Sequence, residues 1–408
     1  MKPIGPIPPG FEAIDGELAI GGYKASALVE QAVRTPLFVY SQERIAARIS
    51  HLRAAMPAAI RIHYAVKANP YLPLLEFMRG QVDGFDIASS GELSLVQTAG
   101  IDPAIVSFAG PGKRDEELEA AVVAGVTLNC ESEGEGRRII SCAERMGVTP
   151  RVAVRVNPDF ELRGSGMKMG GGAKPFGVDA DRVPDLARQL IDAGVKWRGF
   201  HIFTGSQALS SKAIIEAQAN VLELAGRLAS ELGHAIPKLN MGGGFGIPYF
   251  DGDAAIELAQ IGEALHARLG DLPDELQNTE LCLELGRYLV GEAGVYLTRI
   301  VDRKQSHDAT FLVTDGGLHH QLAASGNFGT VVRRNYPVAI ATRFGAEPEE
   351  EVNVVGCLCT PLDRLADNAM MPKAEVGDLV AVFCAGAYGA TASPAAFLGH
   401  GAAAELLV

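Results

Sequence analysis

A short apolar, β-branched run ending in small or polar residues recurs eight times before residue 290, and stretches with helical periodicity separate the copies. The runs occupy residues 60–68, 84–89, 105–110, 127–132, 151–158, 197–203, 238–244 and 281–287. Strands that are apolar throughout, rather than alternating, belong to a parallel sheet covered by helices. Eight such units predict a closed (β/α)8 barrel, a TIM barrel. The intervening periodicity agrees: Ser41 can cap a helix that places Ile45, Ile49, Leu52 and Met56 on one face, and Ile214, Ala217, Val221 and Leu224 form a second such stripe.

After residue 290 the alternation stops. Apolar runs at 295–301, 310–314, 351–356 and 378–386 follow one another without long helices and predict a C-terminal antiparallel β domain. The strand-like, Gly-rich segment ahead of residues 35–40 is expected to pack with it. The expected domains are therefore residues 1–34 as an N-terminal segment against the β domain, 35–288 as the barrel, and 289–408 as the β domain.

Composition narrows the function. Lys+Arg 36 against Asp+Glu 49 leaves a net charge of −13, which disfavours nucleic acid and an anionic membrane surface as partners. The Pro-rich start MKPIGPIPPG lacks the apolar core of a signal peptide, and a cytoplasmic protein is expected. Six scattered cysteines without a CxxC pair predict reduced thiols, with neither a disulfide framework nor a metal site. His319 and His320 are adjacent, and on a strand such neighbours face opposite ways.

In a (β/α)8 barrel, chemistry gathers at the C-terminal ends of the strands. Lys67 follows the run IHYAV; it either snorkels to solvent or sits desolvated in the barrel mouth, where burial favours the neutral, nucleophilic amine. Asp86 and Ser89 end the second run, and His201 lies in the sixth, ahead of Gly205, Ser206 and Gln207. Gly242, Gly243 and Gly244 end the seventh; they form either a tight turn or a backbone cradle for phosphate. Phe245 and Gly246 do not continue them into a dinucleotide fingerprint. Glu284, in an otherwise apolar eighth run, needs a buried partner: Arg287 would serve, and so would a protonated pyridine nitrogen. Tyr388, in GAYGAT, can donate its hydroxyl to a phosphate or close a turn.

The segments HYAVKANP, GFDIASSGEL, GGGFGIPY, ELGRYLV, GCLCTPLDRL and GAYGAT occur in one order from about residue 35 to the end. In this they resemble the fold type III pyridoxal-phosphate decarboxylases, the group of diaminopimelate, ornithine and arginine decarboxylases. The resemblance implies an alanine-racemase-like barrel, pyridoxal 5'-phosphate as cofactor, and a cytoplasmic homodimer with shared active sites. It makes Lys67 the Schiff-base lysine, His201 the residue stacked on the ring and Glu284 the partner of the pyridine nitrogen. Asp86, Ser206, Gly243, Gly244, Gly286, Arg287 and Tyr388 then hold the cofactor, and Cys359 is the cysteine inserted into the partner's site. The implied reaction is loss of the substrate α-carboxylate, followed by return of a proton to Cα from Cys359 or Lys67.

Departures from the pattern bear on the substrate. Diamino-acid enzymes of this group follow the cysteine with an acidic residue that pairs with a distal ammonium, whereas here Thr360 follows Cys359. Asp363 is the alternative carboxylate for such an amine. The stretch 315–329 lacks the family's Arg-Pro and tyrosine elements, and two extra residues separate His201 from Gly205. The glycine-rich insertion 165–178, the HH pair and CTPLD are instead similar to L-glutamyl-acyl-carrier-protein decarboxylases and to exosortase-associated decarboxylases. The expected substrate is thus a small amino acid or an aminoacyl carrier protein. Diaminopimelate decarboxylation is the alternative. An amino-acid racemase fits less well, because it uses a β-domain tyrosine as second base and usually an arginine at the pyridine nitrogen.

Overall fold

A computed structural model describes residues 1–326 and 333–408. The chain forms two compact units: Arg48–Gly246 with Ala255–Gly286, and Met1–Ala47 with Ile247–Ala254 and Arg287–Val408.

The first unit contains the eight-stranded parallel barrel. Its strands are Ile60–Ala65, Gly84–Ile87, Val106–Phe108, Thr127–Cys130, Arg151–Asn157, Lys196–Ile202, Lys238–Gly243 and Glu280–Leu285. Each pairs in parallel with the next, and the last returns to the first through Leu283 opposite Ile62 and Glu284 opposite His63. Continuous Val, Ile and Leu runs suit these strands because both faces are covered, one by barrel interior and one by helices. The helix Ser211–Leu232 buries Ile214, Ala217, Val221 and Leu224 as the periodicity predicts. The helix Gln42–Ala55 likewise buries Ile45, Ile49 and Leu52, and the Ser41 hydroxyl accepts the Arg44 N–H at 3.5 Å.

The sequence does not announce one pairing. Ser165–Lys168, inside the glycine-rich insertion, lies antiparallel to Gly205–Ala208, with Met167 opposite Ser206.

The second unit is built on a mostly antiparallel sheet ordered Val338–Ile340, Leu379–Val382, Gly294–Ser306, Ala309–Thr314, Glu350–Val355, Arg364–Met371. Two pairings are parallel, a departure from the all-antiparallel expectation: Ala309–Thr314 with Glu350–Val355, and Leu37–Tyr40 with Ala404–Leu407. Both join segments far apart in sequence, as a parallel pair requires. Leu37–Tyr40 also pairs with the start of Gly294–Ser306. The Gly-rich segment before it forms its own three-stranded sheet and packs Leu18, Ile20 and Leu28 into a core with Val295, Leu297 and Phe383. None of the six cysteines forms a disulfide. Among the described residues no helix is long and apolar enough to cross a membrane.

Candidate active site

Three side chains expected to share a function meet in the barrel. Glu284, 4% exposed, sits in the eighth strand. Its Oε2 accepts a hydrogen bond from His201 Nε2 at 2.9 Å, and its Oε1 accepts one from Lys67 Nζ at 3.3 Å. Burial alone would raise the Glu284 pKa, but the Lys67 ammonium and His201, with the Arg155 charge further off, hold it well below the usual carboxylate range. It is therefore an anion in the barrel interior at any ordinary pH.

Lys67 departs from its expected setting. It lies in a 3-10 turn, Val66–Ala68, after the strand has ended at Ala65, and its side chain is 39% exposed. Desolvation therefore does not prepare this amine; its neighbours include the Glu284 carboxylate and the Phe203 ring, whose centroid is 5.1 Å from Nζ. His201 is buried, and its Nδ1 has no hydrogen-bond partner among the described residues.

Asp86, on the second barrel strand, is also buried. It accepts hydrogen bonds from His63 Nδ1 at 3.1 Å and from the Ser107 hydroxyl. Asn240 Nδ2 links it to the site, lying 3.4 Å from both Asp86 Oδ1 and Glu284 Oε2. Asn240, Arg155 and His63 went unrecognised in the sequence, although each is a polar residue inside an apolar run, the signal that exposed Glu284.

Gly243 is opposite Glu284 in register, and a Cβ there would come within 2.3 Å of the Glu284 carbonyl oxygen. Gly244, at φ +75°, has the Gly205 carbonyl oxygen 2.6 Å from where its Cβ would stand, and its own carbonyl accepts the Ala208 N–H at 2.9 Å. The glycine triplet thus packs on the strand that carries Ser206. Gly286 leaves room for Ala68, whose Cβ would be 2.8 Å from a Cβ at 286.

Arg287, Tyr388 and Cys359 belong to the other unit. There the Arg287 guanidinium lies over the Tyr388 ring at 4.7 Å and donates to the Tyr249 hydroxyl at 2.7 Å. Burial opposes its charge, yet the two tyrosine hydroxyls raise its pKa overall. Its buried Nε has no partner among the described residues. Tyr388 is held at φ 56°. Cys359 is exposed, on the loop between Glu350–Val355 and Arg364–Met371.

Asp363 closes that loop. It is 2% exposed and accepts the backbone N–H groups of Leu318 at 2.6 Å and Leu358 at 2.9 Å. His319 and His320 lie in a turn, not on a strand, so the opposite-face expectation fails; their ring centroids are 3.8 Å apart. Of the stretch 315–329, residues 327–329 lie outside the described residues.

A buried anion facing a lysine, a histidine with an unpartnered ring nitrogen and backbone pockets without room for a Cβ fit pyridoxal phosphate, which needs a ring-nitrogen partner, an amine and a phosphate cradle. The family model for the pyridoxal binding domain of pyridoxal-dependent decarboxylases matches residues 42–291. The chain belongs to the pyridoxal-dependent decarboxylases. This decarboxylase is similar to the L-glutamyl-[BtrI acyl-carrier protein] decarboxylase of Niallia circulans, 36% identical over 91% of this chain and 88% of that one. It is also similar to the diaminopimelate decarboxylase of Archaeoglobus fulgidus, 33% identical over 98% and 93% respectively. Among solved structures, the diaminopimelate decarboxylase of M. jannaschii with L-lysine superimposes with a TM-score of 0.88 at 26% identity, covering 98% of this chain and 92% of that one. As a member of this family, the decarboxylase is a carboxy-lyase that uses pyridoxal phosphate to decarboxylate an amino acid.

Proposed function

We propose that this decarboxylase acts on an acidic aminoacyl group, glutamyl foremost, tethered to an acyl-carrier protein. The observation that carries the reading is the state of the carboxylate beside Cys359. Thr360 occupies the position where a cationic side chain would find its acid, and its hydroxyl accepts the Leu362 N–H at 3.4 Å. Asp363, the alternative, is 2% exposed with each oxygen on a backbone amide, so it supports the loop and is screened from a substrate ammonium. The 36% identity to a carrier-protein decarboxylase supports the same choice.

In this reading Lys67 would hold the cofactor aldehyde, Glu284 would partner its ring nitrogen, and His201 would support its ring. Ser206, Gly243, Gly244 and Gly286, and by the resemblance Arg287 and Tyr388, would hold the phosphate and its surroundings, and Asp86 would help to orient Asn240, which lies 3.4 Å from it and from Glu284. Bound pyridoxal phosphate supplies an electron sink for the Cα–carboxylate bond pair as carbon dioxide leaves. Glu284, anionic and fixed by His201 and Asn240, stabilises positive charge at the ring nitrogen. By the family resemblance, Cys359 would be brought by one copy of a homodimer to the barrel of the other, where its exposed thiol would deliver a proton to Cα.

Carbon dioxide release tests the substrate. Free meso-diaminopimelate, ornithine, arginine, lysine and glutamate are compared with a glutamyl-carrier protein at matched concentration; the tethered substrate is expected to give the highest kcat/KM. Efficient, stereospecific turnover of free meso-diaminopimelate would overturn the proposal and leave the cofactor chemistry intact.

A further inference from the structure

Outside the barrel, in the unit built on the β-sheet, the ligating atoms of His319, Cys357 and His400 all lie within 4.8 Å of one another. Cys357 Sγ is 3.9 Å from both Nδ1 and Nε2 of His400, and the His319 and His400 ring centroids are 5.1 Å apart. His319 is 0% exposed, and neither of its ring nitrogens has a hydrogen-bond partner among the described residues. An imidazole stripped of water on both sides without a partner is costly, and native interiors seldom leave one so. Its neighbour shows the contrast. His320 Nδ1 meets the Tyr296 hydroxyl at 3.1 Å and Nε2 meets the Gly401 carbonyl at 3.0 Å, so both of its nitrogens are committed. None of the three is among the residues assigned above to the decarboxylation site.

We propose that His319, Cys357 and His400 bind a Zn2+ ion. One thiolate and two imidazoles suit a borderline-soft divalent metal, whereas Mg2+ and Ca2+ select oxygen ligands. Tetrahedral zinc with Zn–N of about 2.0–2.1 Å and Zn–S of about 2.3 Å separates its ligand atoms by roughly 3.3–3.6 Å. The cluster therefore closes onto an ion with movements of about an ångström. His400, exposed near the C-terminus, is the ligand free to make them. Water fills the fourth position. On binding, the Cys357 S–H bond breaks, a Zn–S bond forms, and one proton passes to the buffer; no electron moves. The ion then ties the turn holding His319 and the segment around residue 400 to Cys357, two residues before Cys359, and so braces the loop assigned to the partner's site.

The test uses dialysed, metal-free holoenzyme titrated with Co2+ as a spectroscopic substitute and with Zn2+ by calorimetry. One Co2+ per chain is expected, with an intense near-ultraviolet thiolate-to-metal band and release of about one proton. C357S should abolish that band. H400A should weaken binding by roughly tenfold or more, and because His400 is exposed this variant keeps its fold, checked by the bound cofactor's visible absorption. H319Q should do the same. Saturable binding that survives both C357S and H400A, a Co2+ spectrum without the thiolate band, or no saturable binding in the micromolar range would each overturn the site.

Discussion

Glu284→Gln removes a charge and puts an amide N–H donor where an acceptor oxygen faces Lys67. Glutamine keeps the length of the side chain, so it can still meet His201 and Asn240, which stand 2.9 Å and 3.4 Å from Oε2. Lost is the anion at Oε1, the oxygen that faces Lys67 at 3.3 Å. A unit charge pair at that distance is worth about 5 kcal/mol at an effective dielectric of about 20. Lys67 is 39% exposed, and water shares the burden, so the net value falls to the ~1.5–3 kcal/mol of a charge-assisted hydrogen bond. At ~1.4 kcal/mol per decade, kcat should drop by roughly 10- to 100-fold if the same carboxylate holds positive charge on the cofactor ring. Steady-state kinetics on purified E284Q, normalised to cofactor content by absorbance, measures this. The variant should also show a flatter acid limb of stability. The folded pKa of Glu284 lies below its ordinary value, so its charge stabilises the fold above the carboxylate range, and wild type loses that contribution as pH falls. A kcat within about threefold of wild type at full cofactor occupancy would refute the assignment of Glu284 to the ring nitrogen, since an amide cannot balance that charge.

Lys67→Ala should abolish the borohydride-reducible cofactor adduct and turnover, and mass spectrometry should map the wild-type adduct to Lys67; an adduct on another lysine would refute its role. On the proposed shared-site homodimer, mixing inactive Lys67→Ala and Cys359→Ala proteins under subunit exchange should restore part of the activity, because a mixed dimer would regain one intact site; no recovery despite demonstrated exchange would refute it. Thr360→Glu should raise turnover of one free diamino acid by roughly one to two decades, the worth of a ~1.5–3 kcal/mol charged hydrogen bond, and should weaken an acidic substrate by repulsion. Glu117 accepts the Ser90 and Arg114 amides at 3.0 Å and 3.1 Å, which lower its pKa to about 2. Glu117→Gln should therefore cost about 1–3 kcal/mol near neutral pH, and thermal melts should show the deficit closing as pH falls from about 4.5 towards 2.

The barrel was legible because its strands are buried on both faces, which makes each a continuous apolar run. The same rule missed Arg364–Met371, where Asp367 and Asn368 interrupt the pattern: Asp367 pairs with Lys2 and Arg364, and Asn368 takes a left-handed φ of 47°. Val338–Ile340 is too short for a pattern. Ser165–Lys168 was unreadable as a strand, because Ser-Gly-Met-Lys has weak strand preference and its partner lies about forty residues away. At the site, Glu284 stood out as an acid among leucines. Asn240 carried a fainter form of the same signal beside the conspicuous glycines. The exposure of Lys67 depends on the chain turning at Val66, a tertiary matter that the apolar spelling of residues 60–68 conceals.

The loop from Gly356 to Asp363 is fastened at its stem. Gly356 donates its N–H to the Asp363 carbonyl at 3.0 Å, and a Cβ at Gly356 or Gly317 would stand 2.2 Å or 2.0 Å from an Asp363 carboxylate oxygen. A side chain at either glycine would therefore displace the Asp363 carboxylate that holds the loop. The segment 357–362 thereby becomes a cassette, a short insert whose ends are set by its own frame. Swapping those six residues between decarboxylases that share the Gly-Gly-Asp frame should transfer the tip's chemistry without re-engineering the sheet beneath.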